Sequence, residues 1–299
     1  MRRLPVSPRK IFTLVSDIRG LMEAPRRVLV VGSDGAAVGS VSEALTAGAS
    51  SESAAHLLGS VVLGNGSAAP RLNGSTGVMI LVAGGDELAS AEIKTHLGEA
   101  QRSGVPTVLV LTEAPGVELA FPAEAGAGPR RIVGAAPGGA VAAGALAEAV
   151  VDVTGDAAVA MSAKLPALRD EVCRQVVKKT ARQNAVVGVL FFLPGSDMPV
   201  MTMNQARMVL KIAAAHGESI SKERALELLG IVGAGFGLRG LARQALDLLP
   251  GPGWAIKGGV AYSGTRALGQ AAQAYFNGST RVTPSALEPL AAKARQLRG

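Results

Sequence analysis

Residues 77–116 read GVMILVAGGDELASAEIKTHLGEAQRSGVPTVLVLTEAPG, and the pattern within them decides the fold class. Val78 to Val82 is a continuous apolar run, and Pro106 to Leu111 (PTVLVL) is a second. Between the two, Leu88, Ile93, Leu97 and Ala100 recur at helical spacing over Glu87 to Ser103. Short apolar runs joined by a helix of this length predict a right-handed strand–helix–strand unit with parallel strands. Sheets of this kind bind ligands at the carboxyl ends of their strands. Chemistry is therefore expected at Ala83-Gly84-Gly85-Asp86 and at Thr112-Glu113-Ala114-Pro115.

Working outward, Val28-Leu29-Val30-Val31 has the pattern of a buried first strand and empties into Gly32-Ser33-Asp34-Gly35-Ala36-Ala37-Val38-Gly39-Ser40. Helical spacing then runs to about Leu45. The Ala-, Ser- and Gly-rich stretch from Ala47 to Gly77 holds one apolar piece, Leu57 to Leu63, which predicts a short edge strand among loops. Arg131-Ile132-Val133-Gly134 predicts a last strand, and Gly139 to Val151 a closing helix. The expected organisation is a basic N-terminal tail and helix (1–25, helix Pro8 to Met22), then a three-layer α/β domain with a mainly parallel sheet (26–155). An all-α domain (156–299) follows.

Composition narrows the function. The chain has 299 residues, a formal net charge of +7 and 3% aromatic residues. The positive balance points to an anionic partner, but so few aromatics argue against single-stranded nucleic acid, which is gripped by base stacking. No nucleic-acid partner is expected. An anionic lipid surface needs few aromatic anchors and stays open. No apolar run follows MRRLPVSPRK, so no signal peptide is expected. The single Cys173 forms no intramolecular disulfide and reads as a packed small side chain. His56 and His96 read as surface or half-buried side chains, and no spacing of His and Cys suggests a metal.

A glycine-rich turn between a strand and a helix is a place where phosphates are cradled. The candidate cofactor-binding residues are Gly32, Ser33, Asp34, Gly35, Gly39 and Ser40. A phosphate loop needs Gly, four residues, then Gly-Lys-Ser/Thr, because the Lys neutralises the phosphates and the hydroxyl holds magnesium. No register here supplies the Lys. The dinucleotide pattern Gly-x-Gly-x-x-Gly also fails, since the glycines fall at 32, 35 and 39.

On these residues and their order, the first half resembles a small G domain of the Era/Ras type, the phosphate-loop NTPase fold. The resemblance implies a guanine-reading Asn-Lys-x-Asp motif after PTVLVL. Thr112-Glu113-Ala114-Pro115 stands there, with Pro in place of the base-reading Asp. Asp86 lies near a strand end but lacks the following Gly of the magnesium motif, and Ser162-Ala163-Lys164 matches the last motif far from any strand. The implied fold is a G domain with eroded motifs. No catalytic residue and no cofactor is expected, the alternative being GTP or GDP with magnesium.

In the second half, Leu165 to Arg182 predicts a basic amphipathic helix with Arg174, Lys178 and Arg182 at i, i+4 and Arg169 and Lys179 alongside. An acidic surface opposite these cations would be stabilising. Ala185 to Leu193 is apolar but too short to span a bilayer. Helices are predicted from Met201 to Ala215 with a cap at His216-Gly217, over Ser221 to Leu229 and Leu241 to Leu249, from Trp254 to Phe276, and from Arg281 to Arg298. Small residues, among them Gly258, Gly259 and Gly269, would allow close helix approach.

The stretch LPGSDMPVMTMNQARMVLKIAAAHG and the glycine-rich segment around Pro250-Gly251 resemble the helical domain of YcjF-like bacterial inner-membrane proteins. The matching positions are Pro194, Asp197, Gln205, Met208, Gly217, Pro250 and Gly251. That resemblance implies a membrane-associated module beside a G domain and brings no catalytic residues. The expected function is thus a non-catalytic pseudo-GTPase scaffold, peripheral at the cytoplasmic face of the plasma membrane, contacting anionic lipid, a protein partner, or both. The candidate surface is Arg174, Lys178, Lys179, Arg182, Phe191, Phe192 and Trp254. A divergent slow NTPase at the membrane and a soluble interaction protein are the alternatives.

Overall fold

A computed structural model describes residues 8–23, 25–63, 72, 74–85, 87, 90–112, 131–134, 141–190, 198–221 and 253–278. Helix α1 (Pro8–Glu23) leads into strand β1 (Arg27–Gly32) and helix α2 (Gly35–Thr46). Helix α3 (Ser51–Leu57) and strand β2 (Leu58–Val62) follow, then β3 (Thr76–Ala83), α4 (Ala91–Arg102), β4 (Thr107–Leu111) and β5 (Arg131–Gly134). Five helices complete the described chain: α5 (Ala143–Thr154), α6 (Ala158–Lys164), α7 (Arg169–Leu190), α8 (Met198–Ala215) and α9 (Gly253–Phe276). The chain is α/β in its first half and helical in its second, as the apolar patterning predicts.

The strands form one five-stranded sheet in the order β2-β1-β3-β4-β5, parallel in every pair. This is the doubly wound order with its switch point between β1 and β3. All eight residues of β3 are buried, which is why that strand reads as an uninterrupted apolar run. Alternation along the strands then separates two cores. Val30, Ile80, Val82 and Val110 face the larger core, while Val31, Met79, Leu81 and Leu109 face a smaller one closed by Ile93, Leu97 and Ala100 of α4.

The larger core does not stop at the sheet. It runs through Leu146 and Val150 of α5 into Val172, Cys173 and Val177 of α7, Met208 and Ile212 of α8, and Leu268 of α9. The N-terminal helix belongs to it as well, through Ile11, Leu14, Val15 and Ile18. Arg19 donates to the Ile220 carbonyl at 3.0 Å beyond the end of α8, and Arg207 of α8 pairs with Asp17 at 3.7 Å. The segment read as a basic tail and helix is therefore, over its described residues, a docked helix.

Several elements differ locally from the sequence reading. Helix α3 lies in a stretch expected to hold only loops and an edge strand; Ser50 caps it by accepting from Ser53 N at 3.2 Å. Helix α4 starts at Ala91, where Ser90 accepts from Ile93 N at 3.2 Å, and not at Glu87. Leu165 to Arg182 is not one helix: α6 ends at Leu165, Pro166 opens a single 3₁₀ turn, and α7 begins at Arg169. Pro lacks the N–H that a continuous helix would need there, while Asp170 and Glu171 suit the new N-terminus. Helix α7 then absorbs residues 185–190 of the apolar run. His96 is buried at 3% exposure, on the sheet-facing side of α4, and is not a surface side chain. Gly217 ends α8 as expected, with φ of 80° and Glu218 N donating to the Ala213 carbonyl at 3.1 Å.

The predicted helices over 222–249 and 281–298 lie outside the described residues, as do Asp86, Pro115, Phe191, Phe192, Pro194, Asp197, Pro250 and Gly251.

Candidate functional site

The switch point places the loops after β1 and β3 side by side. Only Ser33 and Asp34 separate the last residue of β1, Gly32, from the first residue of α2, Gly35. Gly39 and Ser40 consequently stand in the second turn of α2. Of the six candidate cofactor-binding residues, Gly32, Ser33 and Asp34 line the crevice and Gly35 opens the helix. A phosphate loop ending at Gly39 would need the helix to start about one turn later.

Gly32 is required by its surroundings. A Cβ there would lie 2.7 Å from the Val82 carbonyl oxygen and 2.9 Å from Val38 Cγ2, so β1, β3 and α2 could not close on any larger residue. Asp34 caps α2, its carboxylate accepting from Ala36 N at 2.8 Å. Across the crevice the Ser33 hydroxyl donates to Glu87 Oε1, and Gly84 N donates to Glu87 Oε2 at 2.9 Å. Two carboxylates thus take the backbone N–H groups at the helix start and at the end of β3 that would otherwise face an anion. Glu87 was read from the sequence as the first residue of a helix. The sequence signal for its other role is a carboxylate three residues after a strand-ending glycine, within reach of that glycine's own N–H.

The basic face of α7 has its acidic counterpart inside the molecule. Arg174 pairs with Glu171 at 2.6 Å and with Glu148 of α5 at 3.3 Å. Lys179 lies 3.8 Å from Asp156, which also holds Lys211 of α8 at 2.9 Å. Burial opposes the charge on Asp156, but the hydrogen bond and charge of Lys211, with Lys179 and Arg207, bring its carboxyl below the usual range. Arg131 of β5 pairs with Asp152, whose other oxygen accepts from Gln175 at 2.6 Å. Arg169 donates to the Ala215 carbonyl at 3.1 Å and caps α8. Lys178 and Arg182 remain exposed on the groove lined by Arg131, Glu148, Asp152 and Arg174.

Helices α7, α8 and α9 meet at a buried polar layer. Thr265 Oγ1 accepts from Asn184 Nδ2 at 3.0 Å and from Gln205 Nε2 at 2.9 Å, and Asn204 Nδ2 donates to Asn184 Oδ1 at 2.9 Å. Helix α9 runs close along α7: a Cβ on Gly258 would be 2.8 Å from Val189 Cγ2, and one on Gly269 2.3 Å from Val177 Cγ2. Trp254 lies in the first turn of α9, at the same end of the bundle as Leu190.

With the helices in place, comparison of families is informative. The helical half matches DUF697, a domain of unknown function. The match runs over residues 154–296. The DUF697 region takes in α6 to α9 with the polar layer and the basic face of α7, and leaves the sheet and its crevice outside. No curated protein and no solved structure matches the chain. Ser162 and Lys164, which spell a G-domain motif in the sequence, fall in α6 at the start of the DUF697 region. Ser162 is fully buried there and donates to the Val159 carbonyl at 2.9 Å, so it forms no loop over a base.

Proposed function

We propose that this protein is a non-catalytic scaffold whose α/β half has the sheet of a nucleotide-binding domain, resembling a degenerate G domain, without the chemistry to hold a nucleotide. In this reading the helical half associates peripherally with an anionic membrane surface on the cytoplasmic side and presents binding surfaces to other proteins. The observation that carries the first claim is the turn Ser33-Asp34, two residues long and capped by a carboxylate. A triphosphate brought to that turn meets Asp34 and, opposite it, Glu87, with no Lys in the turn to neutralise it. Like charges at such separations, half-shielded from water, oppose binding by more than the helix dipole of α2 can return, since that dipole is worth about 0.3–1 kcal/mol at an exposed terminus.

Membrane association is supported by the net charge of +7 and by the exposed Lys178 and Arg182. No helix among the described residues is long and apolar enough to cross a membrane. Isothermal titration of the intact chain with GTP, GDP and ATP in magnesium tests the first claim. The expected result is no binding heat, and micromolar affinity for any of the three would end it.

A further inference from the structure

The buried polar layer divides the helical bundle into two ends of different chemistry. On one side α7 carries Arg169, Asp170, Glu171, Arg174, Lys178, Lys179 and Arg182, and α8 carries Arg207 and Lys211. Beyond Asn184, Asn204 and Thr265 lie residues 185–190 of α7, 198–203 of α8 and 253–264 of α9. In sequence these read AVVGVL, MPVMTM and GWAIKGGVAYSG, with one charged residue, Lys257, and no carboxylate. Antiparallel packing brings all three segments to the same end: Asn184 bonds to Thr265 and Asn204, and Gly258 abuts Val189 and Ala185. Two of the exposed large apolar side chains among the described residues are there, Val186 at 56% and Val200 at 41%. The apolar end of α7 reaches six residues past Asn184, about 9 Å, and α9 reaches eleven residues past Thr265, about 16 Å.

We infer that this end of the bundle inserts, tip first, into the headgroup and upper acyl region of an anionic bilayer. The inference deepens the peripheral reading above and rests on it. The depth fits: interfacial elements bury about 5–10 Å, and the polar layer of Asn184, Asn204, Gln205 and Thr265 closes the helices just behind that depth. Arg182 lies within one turn of the layer and Lys178 one turn further back, where long cationic side chains reach lipid phosphates. Charge selects lipid over a second copy of the chain. Two copies meeting tip to tip would bring the same cations together, whereas anionic headgroups pair with them.

Trp254, the sole tryptophan, stands in the first turn of α9 and serves as a built-in probe. The intact chain is floated with vesicles of phosphatidylcholine alone and of phosphatidylcholine mixed with phosphatidylglycerol, while tryptophan emission and quenching by brominated acyl chains are recorded. The expected result is flotation with the anionic vesicles, a blue shift and quenching at shallow bromine positions. Val186→Glu and Val200→Glu, both at exposed sites that leave the core intact by circular dichroism, should abolish quenching. Arg182→Ala and Lys178→Ala should each weaken flotation about fivefold. Flotation without quenching, or quenching unchanged by both glutamates, overturns tip insertion while leaving membrane association standing. Absence of flotation overturns both. A concentration-dependent dimer that Val200→Glu dissolves, with no lipid quenching, assigns the end to a second copy and overturns the lipid assignment.

Discussion

The Ser33 hydroxyl donates to Glu87 Oε1 across the crevice between β1 and β3, joining two loops that lie 54 residues apart in the chain. Glu87 holds its second oxygen against Gly84 N at 2.9 Å, so one carboxylate ties both strand ends. Asp34 completes the closure by capping α2.

The cap can be removed without touching the core. Asp34→Ala should cost about 0.5–2 kcal/mol, the usual worth of a side-chain N-cap. Urea unfolding at neutral pH is the measurement. If the crevice holds no nucleotide, added GTP leaves the midpoint of both the natural chain and the variant unchanged; a GTP-dependent rise in either would count against a closed crevice.

Thr265 is the common acceptor of the layer between α7, α8 and α9. Thr265→Val should strand the amides of Asn184 and Gln205 and destabilise by about 1–3 kcal/mol per unpaired group. Combining it with Asn184→Leu and Gln205→Leu should recover much of the loss, because no polar group is then left without a partner. Denaturant midpoints of the single and triple variants decide this.

Glycines in α9 are not equivalent. A Cβ on Gly259 meets nothing within 4 Å, so Gly259→Ala should stabilise by up to about 1 kcal/mol through helix propensity. Gly269→Ala would press on Val177, a β-branched side chain with no spare rotamer, and overpacking of about 1–3 kcal/mol should outweigh the same gain. The two variants should shift the thermal midpoint in opposite directions.

Acid stability has an identifiable contributor. The Asp156 carboxyl titrates below its ordinary 3.8 because of Lys211, Lys179 and Arg207. A lowered folded-state value means stability that is present above 3.8 and is lost as pH falls through the folded value. Asp156→Asn should therefore flatten the stability profile below about pH 4, where carboxylates ordinarily titrate. The carboxylate is half exposed at 52%, so solvent screens the effect and it stays small. An acid limb identical in the variant would remove Asp156 from the account.

Burial pushes the Cys173 thiol up to about 12. Little thiolate is present near pH 8, and the side chain is fully buried. Reaction with a maleimide should track global unfolding, with no fast phase in the folded protein.

Much of the fold was legible because the sheet is buried on both faces. A strand such as β3, with no residue facing water, leaves an unbroken apolar run, and the glycine-rich turn after β1 marks the strand-to-helix junction. The basic spacing of α7 was legible too, but not its use. Arg174 and Lys179 read as a free cationic face because Glu148 and Asp156, their partners, lie on other elements. Helix α3 and the break at Pro166 were missed for local reasons. Short helices leave little periodicity, and a single 3₁₀ turn preserves the apolar spacing on either side of it.

By itself the sequence determined the class of the sheet, the absence of a phosphate-binding Lys and the surplus of positive charge, since each depends only on residue types and their spacing. Tertiary structure alone decided which charges are spent inside the molecule, how Glu87 reaches Ser33, and that three apolar helix ends point the same way. Those facts depend on which segments pack side by side, and packing is set by burial over the whole chain, not by any local pattern.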